Sequence, residues 1–314
     1  MGRKVVIIGA GHVGASIAYS FALNGNAAEV VLIDVNEQKA FGEAMDIRQG
    51  APYISPILIH AGDYGDARGA DIVIITSGIA RSPGQSRLDL AQTNVDIMKG
   101  IIPDIVRAAP DAVYVIVSNP VDILTYAFCR CSGLPERQVV GSGTILDTAR
   151  LRSRLAEIFS ISMQNVHASV FGEHGDSSFV PWSIATISGV PVDAYAASKG
   201  LEIDGCGFDR AEVENYVRRS GERIISAKGA TYYAVSLAVN HLCDCIFRGI
   251  DTALTVSTMM NGAYGVSDVC LSVLAVVGQG GVNGRILPPI TDGEIALLRN
   301  SADKLKAVLS NLTI

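Results

Sequence analysis

The turn Gly9-Ala10-Gly11-His12-Val13-Gly14 constrains this chain more than any other stretch. It follows a β-branched apolar run, Val5 to Ile8, and opens a helical stretch, Ala15 to Asn24. A buried strand turning on glycines into a helix is the start of a right-handed crossover to a parallel strand. Each glycine has its own task. Gly9 permits the tight turn, Gly11 lets backbone approach a pyrophosphate, and Gly14 lets helix and strand pack closely. The helix N-terminus then offers free amides and a positive dipole end to phosphate. A second strand-like run, Val30 to Ile33, ends at Asp34, 20 residues beyond Gly14. At that spacing a carboxylate meets the ribose hydroxyls and repels a 2′-phosphate, which implies NAD rather than NADP.

The pattern continues. Ile57 to His60, Ile72 to Thr76 and Val113 to Ser118 read as further buried strands, separated mostly by helix-length segments such as Glu37 to Gln49. This alternation predicts a doubly wound parallel sheet of the Rossmann type. After about residue 143 the rhythm changes to longer helices, Thr148 to Phe159, Arg210 to Lys228 and Tyr232 to Phe247. Strand runs at Thr252 to Thr258 and Leu271 to Val277 and a helix over Asp292 to Leu309 follow. The expected division is a nucleotide-binding domain over 1–143 and an α+β substrate domain over 144–314. At 314 residues with 49% apolar composition, two such domains can each bury a core.

Two further segments carry chemistry. Gly172-Glu173-His174-Gly175-Asp176 follows the apolar run Ala168 to Phe171, and its glycines free the backbone around one histidine at a strand end. Asp147-Thr148-Ala149-Arg150 opens a helix, and the i, i+3 spacing puts Asp147 and Arg150 on one face. A carboxylate beside an imidazole favours its protonated form and fixes its tautomer. An arginine there can grip a substrate carboxylate through two parallel hydrogen bonds. The stretch Gly78 to Arg87, with a proline, two glycines, Arg81 and Arg87, has the composition of a mobile lid.

With these residues in view, the chain resembles the lactate/malate dehydrogenase family over essentially its whole length. The likeness rests on Gly9 to Gly14, Ser118-Asn119-Pro120-Val121-Asp122, Gly141-Ser142-Gly143-Thr144, Asp147 to Arg150, Gly172 to Asp176 and Gly229-Ala230-Thr231-Tyr232-Tyr233. The resemblance implies hydride exchange between NAD and a small 2-oxo/2-hydroxy acid. It implies that His174 is the proton donor and acceptor, Asp147 its partner, Arg150 the carboxylate anchor and Arg87 the lid arginine that polarises the carbonyl. Asn119 would bond the reacting oxygen and Thr231 would line the substrate pocket. Val13, Lys39, Tyr64, Gly78, Ile79, Val117, Asn119 and Ser142 match cofactor-contacting positions, alongside Gly9, Gly11, Gly14 and Asp34.

Within the family the evidence divides. Arg81, six residues before Arg87, occupies the position where malate enzymes carry arginine and lactate enzymes glutamine. Gly-Glu-His-Gly-Asp, Gly-Ser-Gly-Thr and Thr231 are lactate-type, so lactate is the expected substrate and malate the alternative. Arg152 and His167 match the positions at which bacterial lactate-type members bind fructose 1,6-bisphosphate between subunits. The resemblance therefore implies that effector and a homotetramer. Arg152 lies about 200° around the helix from Arg150 and points away from the acid chemistry.

Other classes fit less well. A redox sensor on the same fold would not need His174, Asp147, Arg150 and Arg87 together, and a short-chain dehydrogenase would need a Tyr-x-x-x-Lys pair that is missing after the fourth and fifth strands. A formal net charge of −6 opposes nucleic acid and anionic membrane as partners. No apolar run is long enough to span a bilayer, and Met1-Gly2-Arg3-Lys4 leads straight into a strand rather than a signal sequence. The six cysteines lack zinc spacing, so no metal is expected, and reduced thiols in the cytoplasm are. The Asp34 reading predicts that NADH outcompetes NADPH by at least an order of magnitude in kcat/KM. Comparable values in steady-state assays would overturn it.

Overall fold

The computed structural model describes residues 3–79, 86–205 and 207–314. Strands and helices alternate through the first half, except that β3 leads to β4 without an intervening α-helix: β1 (Lys4–Ile8), α1 (His12–Asn24), β2 (Glu29–Ile33), α2 (Glu37–Gln49), β3 (Leu58–Ala61), β4 (Ile72–Ile75), α3 (Arg87–Ala108), β5 (Val113–Ile116), α4 (Val121–Ser132) and β6 (Val139–Gly141). Then come α5 (Ile145–Phe159), the short strands β7 (Val166–His167), β8 (Thr186–Ile187) and β9 (Val190–Pro191), and α6 (Val192–Ser198). β10 (Glu202–Ile203), β11 (Gly207–Phe208), α7 (Arg210–Lys228) and α8 (Tyr233–Arg248) lead to β12 (Thr252–Asn261), β13 (Ser267–Gly278), β14 (Gly281–Arg285) and α9 (Asp292–Leu309).

Six strands run parallel in the order β3-β2-β1-β4-β5-β6, the doubly wound order, so β1 and β4 flank the point where the winding reverses. Both faces are covered, which is why these strands are almost wholly apolar. Val5 and Ile7 of β1 pack with Ile17 and Phe21 of α1 and Leu242 of α8. Val6 and Ile8 pack on the other face with Val95 and Met98 of α3 and Phe128 of α4. The later strands β12, β13 and β14 continue the same sheet in antiparallel fashion, joined through the pair Ser257↔Gly141. A third core gathers Leu151 and Leu155 of α5, Val170, Ile187, Phe208 and Val217.

Two sequence expectations need correction. The strands expected to reach Thr76 and Ser118 end at Ile75 and Ile116. The Thr76 hydroxyl donates to Gly9 O at 2.9 Å and the Ser118 hydroxyl to Ser77 O at 2.6 Å, so these residues tie loops together at the sheet's carboxyl edge. The apolar run Ala168 to Phe171, expected as a strand leading to His174, does not form one. His167 closes β7, and Phe171 makes only an isolated bridge to Phe179 before Gly172 pairs with Ser272 of β13.

The nucleotide turn shows why glycine is required. Gly9 has φ +106°, and a Cβ on Gly14 would stand 1.9 Å from Gly9 O. Gly14→Ala should therefore destabilise the protein by about 1–3 kcal/mol through forced displacement of the turn. Urea melts compared with the parent check this; equal midpoints would refute the packing role.

Candidate functional site

Two cavities open at the carboxyl edge of the parallel strands. The first, about 560 Å³, is lined by Gly9, Gly11, Asp34, Lys39, Tyr64, Gly78 and Ile79, each of which the sequence marks for the cofactor. A Cβ built on Gly11 would meet nothing within 4 Å, so the turn presents bare backbone to open space. Asp34 accepts the Ala10 amide at 2.6 Å through one oxygen and the Asn36 amide at 2.9 Å through the other. That clamp holds the carboxylate at the end of β2, beside the turn. The buried hydroxyl of Ser77, which also lines the cavity, has no hydrogen-bond partner among the described residues. An open glycine turn, a strand-end carboxylate and an unsatisfied hydroxyl suit a dinucleotide with its ribose at Asp34.

The second cavity, about 460 Å³, carries the acid chemistry. Val13, Val117 and Asn119 reach it from the nucleotide side, and Asp147, Arg150, His174 and Thr231 from the other. Asp147 lies in the first turn of α5, where the helix dipole favours a negative charge, and Arg150 follows one turn later. The Thr144 hydroxyl before that helix donates to Val170 O at 2.5 Å, fixing the start of α5 against the segment that leads to His174. Asp147 then bridges two cations. His174 Nδ1 donates to its Oδ2 at 2.6 Å, and Arg150 Nη1 donates to its Oδ1 at 2.9 Å. The side chains of Asp147 and Arg150 are 7% and 13% exposed, while that of His174 is 27% exposed, so the imidazole is the open end of the chain. With Nδ1 given to Asp147, Nε2 is the nitrogen left for a ligand.

The electrostatics follow. The Asp147 charge, against opposing desolvation, raises the His174 pKa from 6.5 to about 9. Burial pushes the Asp147 carboxyl upward, but His174 and Arg150 together hold it below its ordinary value. A cationic imidazole beside a guanidinium is a receptor for a small anion whose oxygen accepts a proton.

The placement of the remaining expected residues is mixed. Gly14 packs against the turn and lines neither cavity. Ser142, expected at the cofactor, is buried just after β6 with its amide on Ile116 O, and it too lines neither cavity. Arg81 lies outside the described residues, as does Cys206. Arg87 is the first residue of α3, but its side chain is likewise outside the description. Arg152 donates Nε to Ala168 O at 3.0 Å and lines a separate, largely apolar cavity of about 510 Å³. Burial there lowers its pKa. His167 is exposed and does not line that cavity. Among the described residues Cys129, Cys131, Cys243, Cys245 and Cys270 are free thiols. Among the same residues no His/Cys/Asp/Glu cluster could hold a metal, and no helix is long and apolar enough to cross a membrane.

The structure adds residues to which the sequence assigned no role. Asn94 of α3 is 2% exposed. It donates to Asn119 O at 2.8 Å and accepts the Ile79 amide at 2.9 Å, tying one loop of each cavity to the same amide. Arg218 of α7 lines the acid cavity, donating to Ser178 O at 2.9 Å and pairing with Glu214. Asp122 accepts the His174 backbone amide at 2.7 Å. A buried acid in the first turn of an apolar helix was the available signal for Asp122; Asn94 and Arg218 left none in local sequence.

Fold and site define a nicotinamide-dependent oxidoreductase. Family models for the lactate/malate dehydrogenase NAD-binding domain and the alpha/beta C-terminal domain of the same enzymes match residues 3–141 and 144–313. An L-lactate dehydrogenase of Thermoanaerobacter sp. (strain X514) is 47% identical over 313 residues, 99% of this chain and 100% of that protein. One from Acetivibrio thermocellus is 45% identical over 314 residues, covering 99% of this chain and 98% of that protein. The solved structure of a minor L-lactate dehydrogenase from Enterococcus mundtii, ligand-bound, superposes with a TM-score of 0.96 at 39% identity, covering 100% of this chain and 99% of that one. The chain belongs to the lactate/malate dehydrogenase family, and NAD is its cofactor.

The His174 pKa has a consequence for stability. A pKa raised from 6.5 to about 9 stabilises the fold fully below pH 6.5, and that contribution is lost as pH rises through 9. The stability gap between the parent and His174→Gln should therefore shrink between these limits in urea melts. A gap that stays constant with pH would contradict the Asp147–His174 pairing.

Proposed function

We propose that the chain is an L-lactate dehydrogenase that reversibly reduces pyruvate to L-lactate. The observation that carries this is the His174–Asp147–Arg150 chain at 2.6 and 2.9 Å, lining a cavity whose other wall comes from the nucleotide side. The names of the relatives and of the superposing structures favour lactate over malate.

NADH, when bound, supplies the hydride. Arg150 holds the substrate carboxylate, and Asn119 and Arg87 face the carbonyl oxygen on which negative charge grows. Protonated His174 gives its Nε2 proton to that oxygen, and Asp147 stabilises the imidazolium before transfer and keeps the tautomer afterwards. In lactate oxidation the neutral imidazole takes the proton back. Thr231 narrows the pocket, and exclusion of water from it strengthens both cations.

In this reading residues 1–143 hold the cofactor and residues 144–314 supply the acid chemistry. Gly9, Gly11, Val13, Gly14, Asp34, Lys39, Tyr64, Gly78, Ile79, Val117, Asn119 and Ser142 form or support the NAD site. Arg81, outside the described residues, sets selectivity between the two acids. Arg152 and His167 serve fructose 1,6-bisphosphate across a homotetramer interface, for which the exposed imidazole of His167 is the supporting feature. The cytoplasm is the matching compartment.

His174→Gln should lower turnover about a thousandfold while leaving the NADH dissociation constant unchanged. Retained turnover would sink the assignment. Arg81→Gln should raise the pyruvate-to-oxaloacetate ratio of kcat/KM about tenfold, or about 1.4 kcal/mol. Side-by-side NADH oxidation with the two acids reads this, and an unchanged ratio places Arg81 away from the substrate.

A further inference from the structure

The segment carrying His174 is clamped at three consecutive residues. Gly172 exchanges both backbone hydrogen bonds with Ser272 of β13, at 2.9 and 3.0 Å. The Glu173 amide donates to the Ser301 hydroxyl of α9 at 2.8 Å. The His174 amide donates to Asp122 Oδ2 at 2.7 Å, while Asp122 Oδ1 accepts the Ser257 hydroxyl of β12 at 2.5 Å. The first two clamps are neutral; the third is a carboxylate 3% exposed. Geometry alone does not call for a charge. An asparagine could accept from the His174 amide through its oxygen and donate to Ser257, whose hydroxyl can rotate to accept. Burying an ionised carboxyl costs several kcal/mol more than burying an amide. A charge kept at that cost has an electrostatic use, and the His174 imidazolium, on the same residue whose amide Asp122 accepts, is a cation that favours it.

We infer that Asp122 is a positioning residue for His174, holding its backbone in place and supplying, beside Asp147, a second negative charge that favours the protonated imidazole. This rests on the reading of His174 as the proton donor. The charges around the pair come from every side: Glu173 on the same segment opposes ionisation of Asp122, His174 favours it, and Asp147 and Arg150 of α5 act on His174. The Cys270 thiol of β13 also senses Asp122. Burial raises the Asp122 pKa to about 6 against the opposing bonds from Ser257 and His174, so the carboxyl is ionised through neutral and alkaline pH. The Asp122 charge in turn raises the pKa of His174. In the range where His174 begins to lose its proton, the second charge is present.

The experiment compares Asp122→Asn and Ser257→Ala with the parent in pyruvate reduction at saturating NADH, from about pH 5.5 to about pH 9.5. NADH affinity and thermal melting are measured in parallel. In Asp122→Asn the alkaline limb of kcat/KM should move about one unit toward acid, lowering kcat/KM roughly tenfold at alkaline pH and little in mildly acid solution. NADH affinity should stay unchanged. Ser257→Ala removes one bond to the carboxyl but leaves it ionised in that range, so the limb should stay in place; a limb that moves as far as in Asp122→Asn would overturn the electrostatic role. In Asp122→Asn, a loss uniform across pH would reduce Asp122 to a structural tie and overturn the electrostatic role, as would a limb that stays in place. If Asp122→Asn does not fold, Asp122→Ser, a neutral side chain whose hydroxyl can still accept a backbone amide, takes its place, and an unmoved limb there decides against the inference. Failure of the His174 assignment is distinguishable, because it appears as retained turnover in His174→Gln.

Discussion

The carboxylate of Asp147, shared between an imidazole and a guanidinium, is the interaction on which the site depends. It lies almost out of solvent, and its two oxygens are taken by His174 and Arg150. Breaking a buried pair by removing one partner typically costs about 3–5 kcal/mol, because the other charge is then stranded. The three residues therefore stand or fall together. Their arrangement leaves one nitrogen of His174 and part of Arg150 facing a cavity, which is how a structural ion cluster becomes a receptor for an oxo acid.

Keeping that cluster in register requires elements far apart in sequence. Asp147 and Arg150 come with the first turns of α5, whose start is tied to Val170 through Thr144. His174 comes on a segment pinned by β13, α9 and Asp122. The nucleotide side is fixed separately at the reversal between β1 and β4, and Asn94 links the two by bonding Ile79 and Asn119 at once. Cofactor and substrate walls are thus aligned largely by hydrogen bonds between side chains and backbone. Displacing either wall means breaking buried polar contacts.

Much of this could be read from the chain. The glycine turn and Asp34 located one end of the first cavity, because glycine tolerance of φ and of close approach is a local property, while Lys39, Tyr64, Gly78 and Ile79 of its lining were reached only through the family resemblance. The i, i+3 spacing of Asp147 and Arg150 gave their shared face, because helix periodicity is local as well. The burial of Ser142 was not legible in the same way: whether a residue after a strand lines a cavity depends on what packs over it, here the β6–β12 junction. The continuous strand expected up to Phe171 failed likewise, since apolar runs report burial and not pairing.

By itself, then, the sequence determined the alternation of strands and helices, the glycine turn and the shared helix face of Asp147 and Arg150. These rest on side-chain periodicity, glycine geometry and residue chemistry, which act within a few positions. Only the tertiary structure decided that Asp122 meets the His174 backbone 52 residues away and Ser257 135 residues away. Asn94 likewise joins the two cavities, and β12 to β14 complete the first half's sheet. Such contacts arise where crossovers and sheet edges bring distant segments together, and a buried polar group then bonds whichever partner the packing delivers.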